Sequence, residues 1–448
     1  MTLRPATGGA LRRSLGLRDL VVYGLLFIAP MAPVGIFGVL DAKSHGAVAA
    51  VYLAATAAMG FTAFSYAQMV HAVPQTGSVF AYARAGLGET AGFVAGWMAM
   101  LDYLLVPAVA YLFSGIAMHA LVPGVSRWAW TVLAVLVTTA LNLAGVRTAA
   151  VVGFAVLALE LAVLAVFLAA AVVQLVRHGA ARPVLSPLTG IGGFSPGAVL
   201  SAVSVAVLSY LGFDAIASFV EEAVGASAAV ARAVLLCLVL AGVLFVAQTY
   251  LAALLDPVPP AQLAAHPDQQ GSAFYDTAEH AVGHWLHTLV AVSKAIGAAF
   301  AALAGQAAAG RLVFAMARQG RLPRQLALVD PDSGVPRRAL LLAALVTLGA
   351  AAWAAGRGDG LDRLTSVVDI GALTAFVLLH ASVIGWYLLR QHSRDRLRHL
   401  VLPVLGIVVL LAVIWRASHS AQLAGALWLL VGLAVVWAQG AGPVGQRR

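Results

Sequence analysis

Five ionisable side chains lie inside long apolar stretches of the sequence: Asp102, Glu160, Asp214, Lys294 and Asp369. A charge held away from water is costly, so such residues are usually paired or functional. Four acids and one lysine cannot all form ion pairs. We therefore predict proton carriers among Glu160, Asp214, Asp102 and Lys294. The alternatives are a structural ion pair between Lys294 and one of the acids, and simple hydrogen bonds from Asp102 and Asp369 to neighbouring helices.

Prolines and glycines interrupt the first apolar stretch. Pro30, Pro33, Gly35 and Gly38 lie within nine residues of one another. Proline has no N–H and its ring clashes with the preceding turn, so an ordinary helix cannot continue through this segment. In lipid, the freed backbone groups must face protein or a water-filled cavity. The segment is therefore predicted to be a helix break that lines a binding site.

The freed backbone groups of this first break can bind a charged substrate. The amides of Val34, Gly35 and Ile36 begin the outer half-helix, where the helix dipole is positive, and they suit a carboxylate. The carbonyls of Ile28 and Ala29 end the inner half-helix and suit an ammonium group. The unwound segment contains no acidic residue. This composition favours an amino acid over a polyamine as the substrate.

A second break is predicted near Gly212, because this glycine and Asp214 lie in the middle of another apolar stretch. The backbone near Tyr210 offers free carbonyls at such a break. The rings of Tyr210 and Phe213 can attract an ammonium group. Packing in the protein core is the alternative role of these two rings. We include Tyr210, Gly212, Phe213 and Asp214 among the predicted substrate-binding residues.

The elements that must position these groups are membrane spans. The chain has 448 residues, of which 62% are hydrophobic and 10% charged, whereas a soluble domain has about 25% charged residues. Apolar runs of about 20 residues recur between short polar segments, as in a protein with many transmembrane helices. The twelve predicted spans, numbered one to twelve, cover residues 18–40, 47–70, 89–117, 128–146, 149–176, 197–222, 230–255, 284–316, 339–356, 362–389, 400–416 and 421–439.

The distribution of basic residues predicts the orientation of these spans. Nineteen arginines fall on the side of the two termini, and seven basic residues fall on the other side. The positive-inside rule therefore predicts cytoplasmic termini in the inner membrane, and the high net charge reflects topology rather than nucleic-acid binding. We expect tails at 1–17 and 441–448, a transporter core at 18–389 and two further helices at 390–440. The lone Cys237 excludes an intramolecular disulfide.

Three motifs in the sequence resemble those of the amino acid/polyamine/organocation permeases. They are residues 73–88 followed by Gly96-Trp97, residues 210–214 followed by two glutamates, and residues 311–323. The resemblance implies an all-α membrane protein with a LeuT-type five-plus-five inverted repeat and two C-terminal helices. The two breaks lie five spans apart, at equivalent positions of such repeats, which is typical of a midplane substrate site. Residues 101–103 further resemble the putrescine-importer branch.

The coupling ion can be predicted from two departures from this family. Glu160 stands where relatives often carry a lysine, which is thought to replace a sodium ion beside spans one and eight. Glu160 is therefore our first candidate for a coupling residue. A LeuT-type sodium site needs hydroxyl oxygens on span eight, but no serine or threonine lies between Lys294 and Arg311. These features favour proton coupling.

Together, these observations predict a permease that imports an amino acid by proton symport through alternating access. The resemblance implies that spans one, two, six and seven rock against spans three, four, eight and nine. A polyamine importer is the alternative substrate class, with Asp102, Asp214 and Glu222 as its acids, and exchange is an alternative mode. Glu221 and Glu222 are gate candidates. No cofactor or metal is expected, and an intramembrane enzyme is disfavoured because no His-Glu-x-x-His motif occurs.

Overall fold

The computed structural model describes residues 15–74, 78–143, 149–220, 223–224, 226–318, 323–329 and 336–440. Within these ranges the chain is all-helical, and the only β-type pairing is a single bridge between Leu15 and Ala223. The all-α prediction is confirmed. The gate candidates Glu221 and Glu222 lie outside the described residues.

Seventeen α-helices occur in the described residues, and their bounds are as follows: α1 Leu17–Ile28, α2 Phe37–Ser44, α3 Val48–Ala72, α4 Ser78–Leu87, α5 Glu89–Leu121, α6 Arg127–Leu143, α7 Ala149–His178, α8 Ser186–Thr189, α9 Pro196–Ala206, α10 Ala226–Leu255, α11 Pro260–Ala265, α12 Ala273–Ala281, α13 His284–Arg318, α14 Arg337–Ala355, α15 Gly360–Val383, α16 Leu402–Arg416 and α17 His419–Gly440. Two π-helical segments, Ile384–Arg390 and Leu397–Val401, connect α15 to α16.

Ten helical stretches in the described residues are long and apolar enough to cross a membrane. Two shorter apolar stretches, Arg127–Leu143 and Pro196–Tyr210, fall at the positions predicted for spans four and six. The predicted outer loop between spans seven and eight contains α11 and α12. In α12, Phe274 is buried and packs 5.6 Å from Phe37 of α2, measured between ring centroids. Through this contact the segment between spans seven and eight packs against α2.

The first span is broken where its prolines predicted. Helix α1 ends at Ile28, and Ala29 takes a positive φ of 58°. A 3-10 turn, Ala32–Gly35, separates α1 from α2. The chain therefore leaves the helix for several residues at the predicted place. Pro30 lies between α1 and the turn and Pro33 lies inside it, where neither has to donate to an α-helical ladder.

The sixth span is irregular over a longer segment. After α9 come the 3-10 turns Val207–Tyr210 and Phe213–Phe219, with Gly212 between them at a φ of +110°. This conformation is natural only for glycine. A Cβ on Gly212 would also lie 2.9 Å from the carbonyl oxygen of Phe27. The absence of a side chain at Gly212 thus lets the two broken spans touch through their backbones.

Helix α5 forms the centre of the fold and packs against α4, α6, α13 and α15. The last helix, α17, is attached to α5 by a reciprocal pair of tryptophans. The indole N–H of Trp97 donates to the carbonyl of Trp428 at 2.7 Å, and the indole N–H of Trp428 donates to the carbonyl of Trp97 at 2.8 Å. Their rings stack with centroids 4.7 Å apart.

A buried ionic cluster holds together segments predicted to lie on the outer side. Arg182, between α7 and α8, donates to both carboxylate oxygens of Asp41 in α2 at 2.8 and 3.0 Å. It also donates to the carboxylate of Asp256 at 2.8 Å and to the carbonyl of Val258 at 2.5 Å. We call Arg182, Asp41 and Asp256 the outer cluster. All its members are nearly inaccessible to solvent.

Candidate substrate and coupling site

Three adjoining cavities lie beside the two helix breaks, and Phe27 and Ala301 line all of them. The first, the acidic cavity, has a volume of about 370 Å³. The second, the central cavity, is about 70 Å³. The third, the Glu160 cavity, is about 310 Å³. All three cavities thus share wall residues from α1 and α13.

The acidic cavity carries two carboxyl groups and no cationic side chain among the residues that line it. Asp102 comes from α5 and Asp214 from the second break. The Asp214 carboxylate accepts hydrogen bonds from the backbone of Gly212 and Ala215 and from the hydroxyl of Tyr66. Asp102 interacts electrostatically with Asp214, and its Oδ1 has no hydrogen-bond partner within the described residues. The walls are completed by Phe27, Tyr103, Val106, Pro107, Ala110, Leu211, Gly212, Ala215, Phe219, Ala301, Gly305 and Ala308.

At the central cavity, the first break lies beside Lys294, the buried lysine of α13. Ile28 and Ala29 line it together with Lys294. The Nζ of Lys294 donates to the carbonyl oxygen of Met31 at 3.1 Å and lies 4.9 Å from the ring centroid of Phe113. A carbonyl of the broken segment, which also accepts from the N–H of Val34, thus provides a polar partner for the buried ammonium group.

Glu160 faces the same stretch of α13 from α7. Its side chain is buried, and its Oε1 finds no hydrogen-bond partner in the described part of the chain. The carboxyl group lies directly against Gly297, where an added Cβ would overlap it. Glu160 and Lys294 also interact electrostatically. Lys294 and Gly297 are one helical turn apart, so the acid and the lysine belong to one polar centre beside the first break.

The amides predicted to bind a carboxylate are engaged inside the first break. The N–H of Val34 donates to the carbonyl of Met31 at 3.2 Å, and that of Ile36 donates to Pro33 at 3.1 Å. Gly35 packs against the ring of Phe113. None of the three predicted residues, Val34, Gly35 and Ile36, lines the three cavities. The 3-10 turn uses these donors locally because its i-to-i+3 bonds close within the segment.

The two aromatic residues of the second break also lie away from the cavities. The hydroxyl of Tyr210 is 2.6 Å from the Oγ1 of Thr56, and its ring is 5.0 Å from that of Phe245. The ring of Phe213 is 5.7 Å from Tyr66. Both side chains are fully buried, so in this conformation they pack as core aromatics. Gly212 and Asp214 line the acidic cavity as predicted.

Several cavity residues were not singled out by sequence reasoning. Phe27, Tyr103 and Phe219 supply aromatic walls to the acidic cavity. Tyr103 follows Asp102 directly, and this adjacency is the signal that could have found it.

Residues 193–197 have the Gly-x-Ser-x-Gly spacing of a hydrolase nucleophile elbow. Here Ser195 caps α9 by accepting from the N–H of Ala198 at 3.3 Å, so it has a structural role.

The many apolar helices and the cavities between them define a multi-pass membrane protein. A family model described as amino acid permease matches residues 20–447, and the chain belongs to this family, a branch of the amino acid/polyamine/organocation permeases. It is therefore a membrane transporter and not an enzyme.

Similar curated proteins carry different substrate names. The low-affinity putrescine importer of Escherichia coli (strain K12) is 28% identical over 431 residues, covering 94% of this chain and 92% of that protein. The branched-chain amino acid permease of Bacillus subtilis (strain 168) is 29% identical over 464 residues, covering 96% and 94%. The methylthioribose transporter of the same organism is 27% identical over 451 residues, covering 95% and 93%.

Proposed function

We propose that this protein imports a small organic amine by proton symport, and that the acidic cavity binds the ammonium group of the substrate. The observation that carries the proposal is the pair Asp102 and Asp214 in a cavity at the second break, with no cationic side chain on its wall. A buried cavity with two carboxyl groups attracts a cation because the cation supplies the missing countercharge.

A diamine of the putrescine type is the substrate class that this cavity supports best. Two carboxyl groups offer partners for ammonium groups, and the rings of Phe27, Tyr103 and Phe219 can pack against the methylene chain and the cations. The putrescine importer among the relatives supports this choice. The amides of Val34 and Ile36 already donate hydrogen bonds inside the 3-10 turn. This removes the main argument that they bind a substrate carboxylate.

An amino acid is the second candidate, and the position of Lys294 favours it. Lys294 lines the central cavity, which shares Phe27 and Ala301 with the acidic cavity. A zwitterion could place its ammonium group toward Asp214 and its carboxylate toward Lys294. The branched-chain amino acid permease among the relatives supports this alternative.

The polar centre of Glu160 and Lys294 is the proposed coupling site. Lys294 donates to the Met31 carbonyl beside the first break, so an ammonium group occupies a place that would suit a coupling cation. A proton that reaches Glu160 would remove the negative charge that faces Lys294 and so change how the ammonium group is held against the broken span. Substrate binding and proton binding would then act on adjacent parts of span one.

The proposed mechanism is alternating access in a twelve-helix, five-plus-five arrangement in the inner membrane, with cytoplasmic termini. The backbone contact between Gly212 and Phe27 supports it, because it joins the breaks of spans one and six. Ion pairs between segments predicted to be outer, such as Lys43 with Asp362 at 3.1 Å, support the predicted sidedness.

Uptake by reconstituted full-length protein tests this function. Proteoliposomes with an alkaline lumen and an acidic exterior are given labelled putrescine or isoleucine. We expect uphill accumulation of putrescine that collapses when a protonophore removes the pH gradient. Accumulation of isoleucine alone would assign the amino acid alternative. No accumulation of either compound under proton or sodium gradients would refute proton-coupled import, and counterflow without accumulation would indicate exchange.

A further inference from the structure

Two aromatic residues, Phe27 and Phe219, border both the acidic cavity and the Glu160 cavity. Phe27 comes from α1, and Phe219 ends the second 3-10 turn of the broken sixth span. Their ring centroids are 6.4 Å apart, and the ring planes are inclined by 34°. We call Phe27 and Phe219 the aromatic pair. It forms part of a wall that the two cavities have in common.

The aromatic pair packs against residues that belong to each cavity. The ring of Tyr23, which lines the Glu160 cavity, stacks on that of Phe219 with centroids 5.6 Å apart. Gly212 lines the acidic cavity, and a Cβ added to it would lie 3.0 Å from the Cβ of Phe27. The position of the two rings is therefore fixed by neighbours from α1 itself and from the second break.

Carboxyl groups lie on the walls of both cavities that the aromatic pair borders. Asp102 and Asp214 line the acidic cavity, and Glu160 lines the other. The Oε1 of Glu160 has no hydrogen-bond partner in the described part of the chain. A buried carboxyl group attracts any cation that reaches it, whether a proton or an ammonium group. A substrate ammonium group at Glu160 would therefore compete with the proton that the proposed coupling needs.

We propose that the aromatic pair determines the length of the substrate: it keeps the ammonium groups of a diamine in the acidic cavity and excludes a polyamine that extends to Glu160. The inference rests on the proposed amine transport and makes Phe27 and Phe219 specificity-determining residues for it. A polyamine chain that reaches from Asp214 to Glu160 would have to displace one of the two rings. The same wall keeps the substrate cation away from the proton-binding carboxyl group.

Equilibrium binding of three amines to the purified full-length protein at pH 8 tests this assignment. Spermidine is putrescine extended by an aminopropyl group, and N-propylputrescine has the same extension without the terminal amine. In Phe219→Ala, the affinity for spermidine relative to putrescine is expected to rise about tenfold over the wild-type ratio. The ratio of N-propylputrescine to putrescine should rise by less than about threefold, because its tail brings no charge to Glu160.

Glu160→Gln in the Phe219→Ala background tests where the added amine binds. The amide keeps the size of the side chain but removes the negative charge, so the spermidine ratio should return to within about threefold of the wild-type value. Phe27→Leu and Phe219→Leu keep a smaller apolar side chain in the wall. They should raise the spermidine ratio by a smaller factor, and they carry the test if Phe219→Ala does not fold.

Phe154→Ala is the matched control. The ring of Phe154 lies 5.5 Å from that of Tyr23, but Phe154 lines none of the three cavities. Its spermidine ratio should equal that of the wild type. Three results would overturn the role of the aromatic pair: an unchanged spermidine ratio in its folded variants, a rise that persists with Glu160→Gln, or an equal rise in Phe154→Ala. Absence of putrescine binding and uptake by the wild type would instead refute the diamine function on which the inference rests.

Discussion

Two groups of charged residues in this molecule differ in whether their hydrogen-bonding atoms have partners. In the outer cluster, Arg182 donates five hydrogen bonds. Two go to the carboxylate of Asp41, one to the carboxylate of Asp256 and one to the carbonyl of Val258. The fifth, from Nε, goes to the carbonyl of Asp256 at 2.9 Å. Around the cavities, Asp102, Glu160 and Asp369 each have at least one carboxylate oxygen without a partner in the described residues.

The difference separates a structural role from a functional one. A buried charge that is completely paired stabilises one arrangement, since removing one partner leaves the other uncompensated. A buried carboxyl group without partners destabilises the empty protein and becomes favourable only with a proton or a cation. The outer cluster is therefore expected to matter for folding, and the cavity acids for transport. Four substitutions test this distinction.

The largest effect is expected from Glu160→Gln. The amide keeps the size of the side chain but cannot exchange a proton, so pH-driven uptake of putrescine should fall to the level of empty liposomes. Counterflow between equal pH compartments should persist, because it needs no proton movement. Glu279→Gln, at a half-exposed glutamate of α12, is the control and should behave like the wild type. Normal pH-driven uptake in Glu160→Gln would remove Glu160 from the coupling role.

Arg182→Ala should cause the largest loss of stability. It leaves Asp41 and Asp256 buried without their cation, which typically costs about 3–5 kcal/mol. Thermal unfolding in detergent would measure this loss. Arg182→Lys should recover only part of it, because an ammonium group cannot bind Asp41 through two parallel N–H bonds. An Arg182→Ala protein as stable as the wild type would contradict the structural role of the outer cluster.

The pH dependence of stability should distinguish Asp256 within the outer cluster. Burial raises the pKa of Asp256 from 3.8 to about 6, although Arg182 acts to lower it. The folded state thus binds a proton that the unfolded state has lost, so this group's contribution to stability decreases as the pH rises from about 4 to about 6. Asp256→Asn should remove that slope, which is at most about 1.4 kcal/mol per pH unit. Parallel unfolding curves for the two proteins at pH 4 and 7 would contradict this expectation.

The smallest effect is expected at a neutral buried pair. Trp428→Phe keeps the ring stack with Trp97 but removes one N–H···O bond, leaving the Trp97 carbonyl without that donor. The expected loss is about 1 kcal/mol of unfolding free energy, with uptake unchanged. Trp437→Phe, at a largely exposed tryptophan of the same helix, is the control. An equal loss in both variants would mean that the hydrogen bond is not the cause.

The sequence predicted the helical class, the position of both breaks and the burial of four of the five ionisable residues, with Asp102 partly exposed. These features follow from apolar run length and from proline and glycine chemistry. Gly212 and Asp214 line a cavity as the second break predicted. The roles of Val34 and Ile36 could not be anticipated, since a break can either free an amide or close it into a 3-10 turn.

Contacts between residues that are far apart in the chain also could not be predicted from local sequence patterns. The orientation of Tyr210 depends on Thr56, which lies 154 positions away in the chain. Arg182 lies between predicted spans five and six, and its partners in α2 and after α10 are separated from it by 141 and 74 positions. Such pairings depend on how the helices are arranged in three dimensions.

The contact between Gly212 and the carbonyl of Phe27 has a mechanical consequence. With no side chain between them, the backbones of the two broken spans lie in direct contact at this point. In the proposed mechanism, a change of backbone angles at Gly212 would therefore move Phe27, which lines all three cavities. In the proposed alternating-access mechanism, this contact would couple the two breaks, so that access on the two sides of the membrane would switch in one concerted step.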